Sequence, residues 1–391
     1  SGPLGLAGQP GAGAPRGAGD AALYAAGLSP AAVRGPLADA VRSLAEARRP
    51  RILAGGGVVR AGAGPELAAL AERLAAPVVT TPAGRAALRW DHPLSAQGWI
   101  EDIATTEFLE QADALLVVGC GLGELSTNYF RLAPLGQVIH LDADPTVLGA
   151  NWPALALVGD ARVGLDALDV ALAASGVSGR DPAAAERAAL NLVEQVRQRL
   201  ATQGLERELD LIAALREAVP DAVATYWDMT ILSYWAWSAW DARGAPFETA
   251  ACGGLGLALP AALGAAIASG RPTLAVSGDG GGLYGIADLI TLAETAAPVT
   301  WLVVDDSGYG VLRGYMRDAY GRAFGTDFPG YDYAALARLA GVTAVDVDVS
   351  AAPAAVAEAL ESARPRVVVA RTELGLFAPT HLRRPARHLG R

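Results

Sequence analysis

Short apolar runs and stretches of helical spacing alternate along most of the chain. From Leu37 to about Leu172, Arg51 to Ala54 reads as a strand entering Gly55-Gly56-Gly57, Pro65 to Leu74 as a helix, and Val78-Val79 as the start of another strand. Ala114 to Val118 leads into Gly119-Cys120-Gly121-Leu122-Gly123, and Gln137 to Leu141 runs to Asp142-Ala143-Asp144-Pro145. Helices are predicted from Pro182 to Leu200, with Asp181 and Pro182 as start signals, and from Leu205 to Val219. Further on, Phe328 to Ala340 and Ala352 to Ala363 read as helices and Arg366 to Ala370 as a late strand. Alternation of this kind predicts an α/β protein of two Rossmann-like layered domains with mostly parallel sheets.

The most informative stretch is residues 273–310. Thr273 to Ser277 has strand character and ends at Gly278-Asp279-Gly280-Gly281-Gly282, where glycine lets the backbone approach a ligand closely. Leu283, Ile286, Leu289, Ile290 and Ala293 then recur at spacings of three and four, predicting one helix that Pro298 stops. A second strand, Val299 to Val304, delivers Asp305-Asp306-Ser307-Gly308 to the same sheet edge. In such a β-α-β unit Asp279 and Asp306 both stand at carboxyl ends of parallel strands, where open α/β sheets place ligands. Glycine N–H groups at a helix start suit phosphate, and carboxylate and carbonyl oxygens suit Mg²⁺, so the pattern fits a metal-bridged diphosphate. A glycine-rich turn with two solvated aspartates is the plain alternative.

Composition narrows the field. With 391 residues, 52% of them hydrophobic and 18% charged, the chain can fill two ordinary domains. No run of about 18 apolar residues and no signal peptide is visible, so no membrane association and a cytoplasmic location are expected. All 31 basic residues are arginine, which excludes Schiff-base chemistry and the lysine of a nucleotide P-loop. A net charge of −10 argues against nucleic acid as a partner. Cys120 and Cys252 make no disulfide framework, and His92, His140, His381 and His388 show no triad or metal spacing. Tyr226-Trp227, Tyr234-Trp235, Trp237 and Trp240 form an aromatic cluster that is expected to line a pocket or an interface in preference to core.

The segment from Gly278 to Gly308 resembles the diphosphate motif of thiamine-diphosphate enzymes, which opens with Gly-Asp-Gly and closes with an Asn-Asn-like pair; here 306 − 279 = 27 residues separate the two side-chain ligands, as in the family. Gly253-Gly254-Leu255-Gly256-Leu257-Ala258-Leu259-Pro260 is similar to the family's stretch that meets the aminopyrimidine ring. The wording is nearest to benzoylformate decarboxylase and acetolactate synthase, over roughly residues 37–375. The resemblance implies that Asp279 and Asp306 are side-chain ligands of Mg²⁺ and Gly308 its main-chain carbonyl ligand. It implies further that Leu255 wedges the cofactor into a bent shape, that the Gly253 carbonyl holds its 4′-amino group, and that Gly278, Gly280, Gly281 and, less directly, Thr230 meet the diphosphate. Asp306 stands where the family commonly has asparagine, and Gly281 where it often has serine.

The implied division is a flexible lead over 1–36, a middle Rossmann-like domain over 37–175, a linker and helix over 176–204, a diphosphate- and Mg-binding domain over 205–375 and a tail over 376–391. Acetolactate synthase-like members carry FAD on the middle domain through arginines after the turn; Glu124-Leu125-Ser126-Thr127 stands there instead, so FAD is not expected. Arg131 and Asp142 leave an adenine nucleotide open, but Gly-x-Gly-x-Gly is not the full dinucleotide fingerprint, and a tightly packed turn explains it better. In the family a glutamate on a separate pyrimidine-binding domain activates ring N1′. No such domain precedes Leu37, so the resemblance implies a split enzyme acting on a small-molecule 2-oxo acid by decarboxylation or carboligation. A partner pyrimidine-domain subunit would supply that glutamate in a hetero-oligomer such as α2β2. The alternative is a non-catalytic regulatory or scaffold subunit that keeps the fold.

Overall fold

The computed structural model describes residues 30–380 except 178, 250–252, 328 and 379, with burial and side-chain contacts described from residue 37. Two parallel sheets carry the fold. The first contains β1 (Pro50–Ala54), β2 (Val78–Thr80), β3 (Ala114–Val118), β4 (Gln137–Asp142) and β5 (Leu155–Val158) in the order β2-β1-β3-β4-β5. The second contains β6 (Ala224–Trp227), β7 (Phe247–Thr249), β8 (Thr273–Gly278), β9 (Val299–Asp305), β10 (Thr343–Asp348) and β11 (Arg366–Arg371) in the order β10-β11-β9-β8-β6-β7. Every residue of β1, β3 and β9 is buried, as expected of strands covered by helices on both faces. β8 and β9 are neighbours with Gly278 paired to Val304, so their carboxyl ends lie level.

In the first unit the glycines at 55–57 and 119 are a packing device. A Cβ on Gly57 would sit 2.5 Å from the Cα of Gly119, and Gly57 N–H donates to the Gly119 carbonyl at 2.9 Å. Two backbones meet here with no room for side chains, the tight-packing reading of this turn. Cys120 is buried, its carbonyl accepting from His140 Nε2 at 2.8 Å, and burial pushes the His140 pKa down.

The helices Ala183–Ala201 and Glu206–Ala218 join the two units. The first is tied to the first unit by Arg199 Nε, 2.5 Å from Asp102 Oδ2. After β11 the chain runs back across the molecule. The carbonyl of Gly375 accepts from Trp235 Nε1 at 2.8 Å, Ala378 N–H donates to Gln203 Oε1 at 2.7 Å, and Thr380 Oγ1 donates to the Glu101 carbonyl at 2.6 Å.

Several expectations change. The single helix expected after Gly278 is two, Asp279–Gly285 and Asp288–Thr295, and the first begins at Asp279, so Gly280 to Gly282 are helical and not loop. The continuous three-and-four spacing hid the break, and Ile290, expected inside, is 55% exposed. A helix starts at Pro30 and runs to Glu46, inside the expected lead, while residues 1–29 lie outside the described residues, as do Cys252, Phe328, His381 and His388. The helix expected from Phe328 is Tyr333–Leu339. The tryptophan cluster is core and not pocket lining: Trp227, Trp235, Trp237 and Trp240 are all nearly or fully inaccessible. Trp227 packs edge-on against Trp240 at 4.9 Å and Trp235 against Phe377 at 5.0 Å, filling the layer under the second sheet. Tyr234 alone of this group reaches the cavity described next.

Candidate active site

A cavity of about 240 Å³ opens at the carboxyl ends of β8 and β9, and its walls contain Thr230, Gly253, Leu255, Gly278, Asp279, Gly280, Gly281, Asp306 and Gly308. All nine residues singled out in the sequence therefore face one space. Ile231 and Tyr234, from the helix Ile231–Ala239, close one side, and Tyr309, Val311, Thr372 and Leu374 another.

The two carboxylates arrive there because their strands are level. Asp279 is buried, and its Oδ2 accepts from Gly308 N–H at 2.9 Å, so the loop after β9 is tied to the start of the helix after β8. Its own carbonyl takes a hydrogen bond from the Tyr333 hydroxyl. Burial, then the neighbouring Asp306 and Asp305, push the Asp279 carboxyl up to about 7. The Asp306 carboxyl is raised as well, by burial, against the opposing pull of Arg313. Two carboxyl groups that resist ionising side by side are the arrangement a divalent cation relieves.

Glycine makes the remaining space. A Cβ on Gly280 would lie 2.6 Å from the Tyr309 ring and 3.3 Å from the Gly308 carbonyl oxygen, and one on Gly310 would fall 1.9 Å from Asp306 Oδ2. At Gly281 the nearest atoms, of Asp228 and Leu255, are at 3.6 Å, an ordinary contact distance. The N–H groups of Gly280 and Gly281 lie in the first helical turn, which has no intrahelical acceptors for them. Thr230 precedes the helix Ile231–Ala239 without a side-chain cap bond, and its Oγ1 would be 2.9 Å from a Cβ on Gly278. Thr230 thus lines the cavity beside Gly278.

Residues the sequence analysis passed over hold this together. Asp228, at the end of β6, is buried; its Oδ1 accepts from Ala258 N–H at 2.9 Å and its Oδ2 from the Ser277 hydroxyl at 2.6 Å. Trp301 Nε1 in turn donates to Ser277 Oγ at 3.0 Å. Asp228 therefore anchors the start of the helix Ala258–Ser269, and with it the turn that carries Gly253 and Leu255. The sequence signal was its place directly after a strand, the same place that marked Asp279 and Asp306.

Two carboxylates and main-chain oxygens at one cavity are donors of the kind that suits a hard cation. Among the described residues no group of three or more His, Cys, Asp or Glu could hold a metal by side chains alone. No described helix is long and apolar enough to cross a membrane.

Comparison with known proteins agrees with this geometry. Residues 37–168 match the family described as thiamine pyrophosphate enzyme, central domain, and residues 228–370 match thiamine pyrophosphate enzyme, C-terminal TPP binding domain. A probable 2-ketoarginine decarboxylase of Pseudomonas aeruginosa is 38% identical over 293 residues, covering 72% of this chain and 51% of the relative. A probable acetolactate synthase large subunit of Methanocaldococcus jannaschii is 30% identical over 312 residues, covering 76% and 52%. The chain thus spans about half the length of these curated relatives. The structure of a thiamine diphosphate-dependent 4-hydroxybenzoylformate decarboxylase from Rhodococcus jostii superposes with a TM-score of 0.69 at 26% identity, covering 87% of this chain and 64% of that one. With both matched domains in place and the strand-end residues of the second gathered round one cavity, the chain belongs to the thiamine pyrophosphate (thiamine diphosphate) enzyme family.

Proposed function

We propose that this chain holds Mg²⁺ and the diphosphate of thiamine diphosphate for an enzyme that acts on a 2-oxo acid, by decarboxylation or by acyloin-type carboligation. The observation that carries the reading is that Asp279, Asp306, Gly308 and the glycines at 278, 280 and 281 all line one cavity. Asp279 and Asp306 would share the ion, and Gly280, Gly281 and Thr230 would meet phosphate oxygens. Leu255 would give apolar support to the cofactor's rings. When bound, the cofactor supplies the electron sink that the carbon–carbon bond chemistry of 2-oxo acids requires. The protein's part is to orient it and keep water from its reacting end.

The activating glutamate is assigned to a partner pyrimidine-binding unit. Among the described residues that line the cavity there is no glutamate, which supports this. A subunit that keeps the fold without turnover is the second reading, favoured by that same lack of a glutamate. Calorimetric titration with thiamine diphosphate and Mg²⁺ tests the site: Asp279→Ala should lose metal-dependent binding by at least a hundredfold, and unchanged binding would remove the assignment.

A further inference from the structure

We propose that Arg313 is a positioning residue that makes metal binding depend on the cofactor: it neutralises Asp306 in the empty site, so that a divalent ion is held firmly only when a diphosphate enters with it. The inference rests on the metal reading above.

The guanidinium lies on the helix Gly310–Tyr320 with its side chain only 7% exposed. Nη1 is 3.7 Å from Asp306 Oδ2. Nη2 donates to the carbonyls of Asp306 and Ser307 at 3.1 and 3.3 Å, those of the two peptides flanking Ser307, which has a positive φ of 56°. Nε reaches Asp327 Oδ1 at 2.6 Å, and Nη1 is 3.6 Å from Glu373 Oε1. Asp327 and Glu373 are 70% and 76% exposed, so water screens them, whereas the Asp306 side chain is 14% exposed. Of its three acidic neighbours, the one that needs this cation is Asp306.

The consequence follows from charge. Two bare carboxylates in a half-enclosed cleft attract a divalent ion by themselves. Arg313 beside one of them takes away one unit of that negative charge, and the guanidinium repels an arriving cation. A diphosphate supplies the missing negative oxygens, so ion and cofactor enter together. The same fork fixes the backbone from which the Gly308 carbonyl projects, while Tyr309 N–H donates to the Thr326 carbonyl at 2.7 Å.

The test is titration of the full chain with Mn²⁺ alone, free ion being read by electron paramagnetic resonance. Arg313→Gln, which removes the charge and keeps a donor for the two carbonyls, should bind Mn²⁺ at least tenfold more tightly than wild type. Adding Asp306→Asn to it should bring the affinity back to wild type or below. Unfolding can only weaken binding, so a gain is not mimicked by structural damage; Arg313→Met, measured in parallel, must gain as well. No gain in either variant, or a gain that survives Asp306→Asn, overturns the proposal. Asp279→Ala in the Arg313→Gln background separates the two failures. If it leaves Mn²⁺ binding unchanged, the metal site itself is misassigned; if it abolishes binding while Arg313→Gln shows no gain, only the role of Arg313 falls.

Discussion

At the scale of single residues the site is governed by protons. The Asp279 carboxyl, raised to about 7, is an acid held above its unfolded value of about 4, so between those limits the folded protein binds more protons than the unfolded one. Stability of the cofactor-free protein is therefore highest below about pH 4 as far as this group is concerned, and is lost as pH rises towards 7. Metal binding needs the ionised form and runs the other way. Affinity for Mg²⁺ with thiamine diphosphate should climb from pH 5.5 to 7.5, by up to about tenfold per unit for one displaced proton, once titration of the cofactor's own phosphate is subtracted. Calorimetry at three pH values checks this; a flat profile would mean that Asp279 is already ionised or is no ligand. Asp279 and Asp306 were legible in the sequence because each closes an unmistakable strand run. Arg313 was not, since seven residues beyond Asp306 it reads as one more charge on an amphipathic helix.

At the scale of elements, one buried carboxylate joins three of them. Asp228 directly follows β6, caps the helix Ala258–Ser269 and takes the Ser277 hydroxyl of β8. Asp228→Ala would leave both donors without acceptors and should cost roughly 3 kcal/mol, two bonds to a charged group lost at once. Urea unfolding measures that loss, and Asp228→Asn, which keeps an acceptor for Ala258, should cost less. The freed turn at Gly253 and Leu255 should also weaken cofactor binding. Equal stability of Asp228→Ala and wild type would sink this account. Sequence reading missed the residue because its partners lie 30 and 49 positions away and β6 is only four residues long. The aromatic cluster misled for a related reason: density of tryptophan marks a place that must be filled, and Trp227, Trp235, Trp237 and Trp240 fill the layer beneath the sheet.

At the scale of the whole molecule, the proposed reading makes the described residues one wall of a site that a partner would complete. Purified chain with thiamine diphosphate and Mg²⁺ should show little exchange of the cofactor's C2 proton, and exchange should appear when a partner of pyrimidine-domain size is added. Full exchange by the chain alone would contradict the assignment of the glutamate to a partner. The two-sheet α/β organisation was legible from the alternation of strands and helices; the return of the chain after β11 to Gln203 and Glu101 was not, because it has no periodicity and is held by single bonds such as Thr380 to the Glu101 carbonyl. Strand alignment has a last consequence. The pairing of Gly278 with Val304 sets how far apart Asp279 and Asp306 stand, whatever the length of the crossover between them. A few residues inserted at Ile286-Ala287, where the two crossover helices meet, would lengthen the interval in the sequence and leave the oxygens where they are. Relatives with other intervals can share this geometry unseen by any search that counts residues, and the crossover is the natural place to graft new surface onto the enzyme.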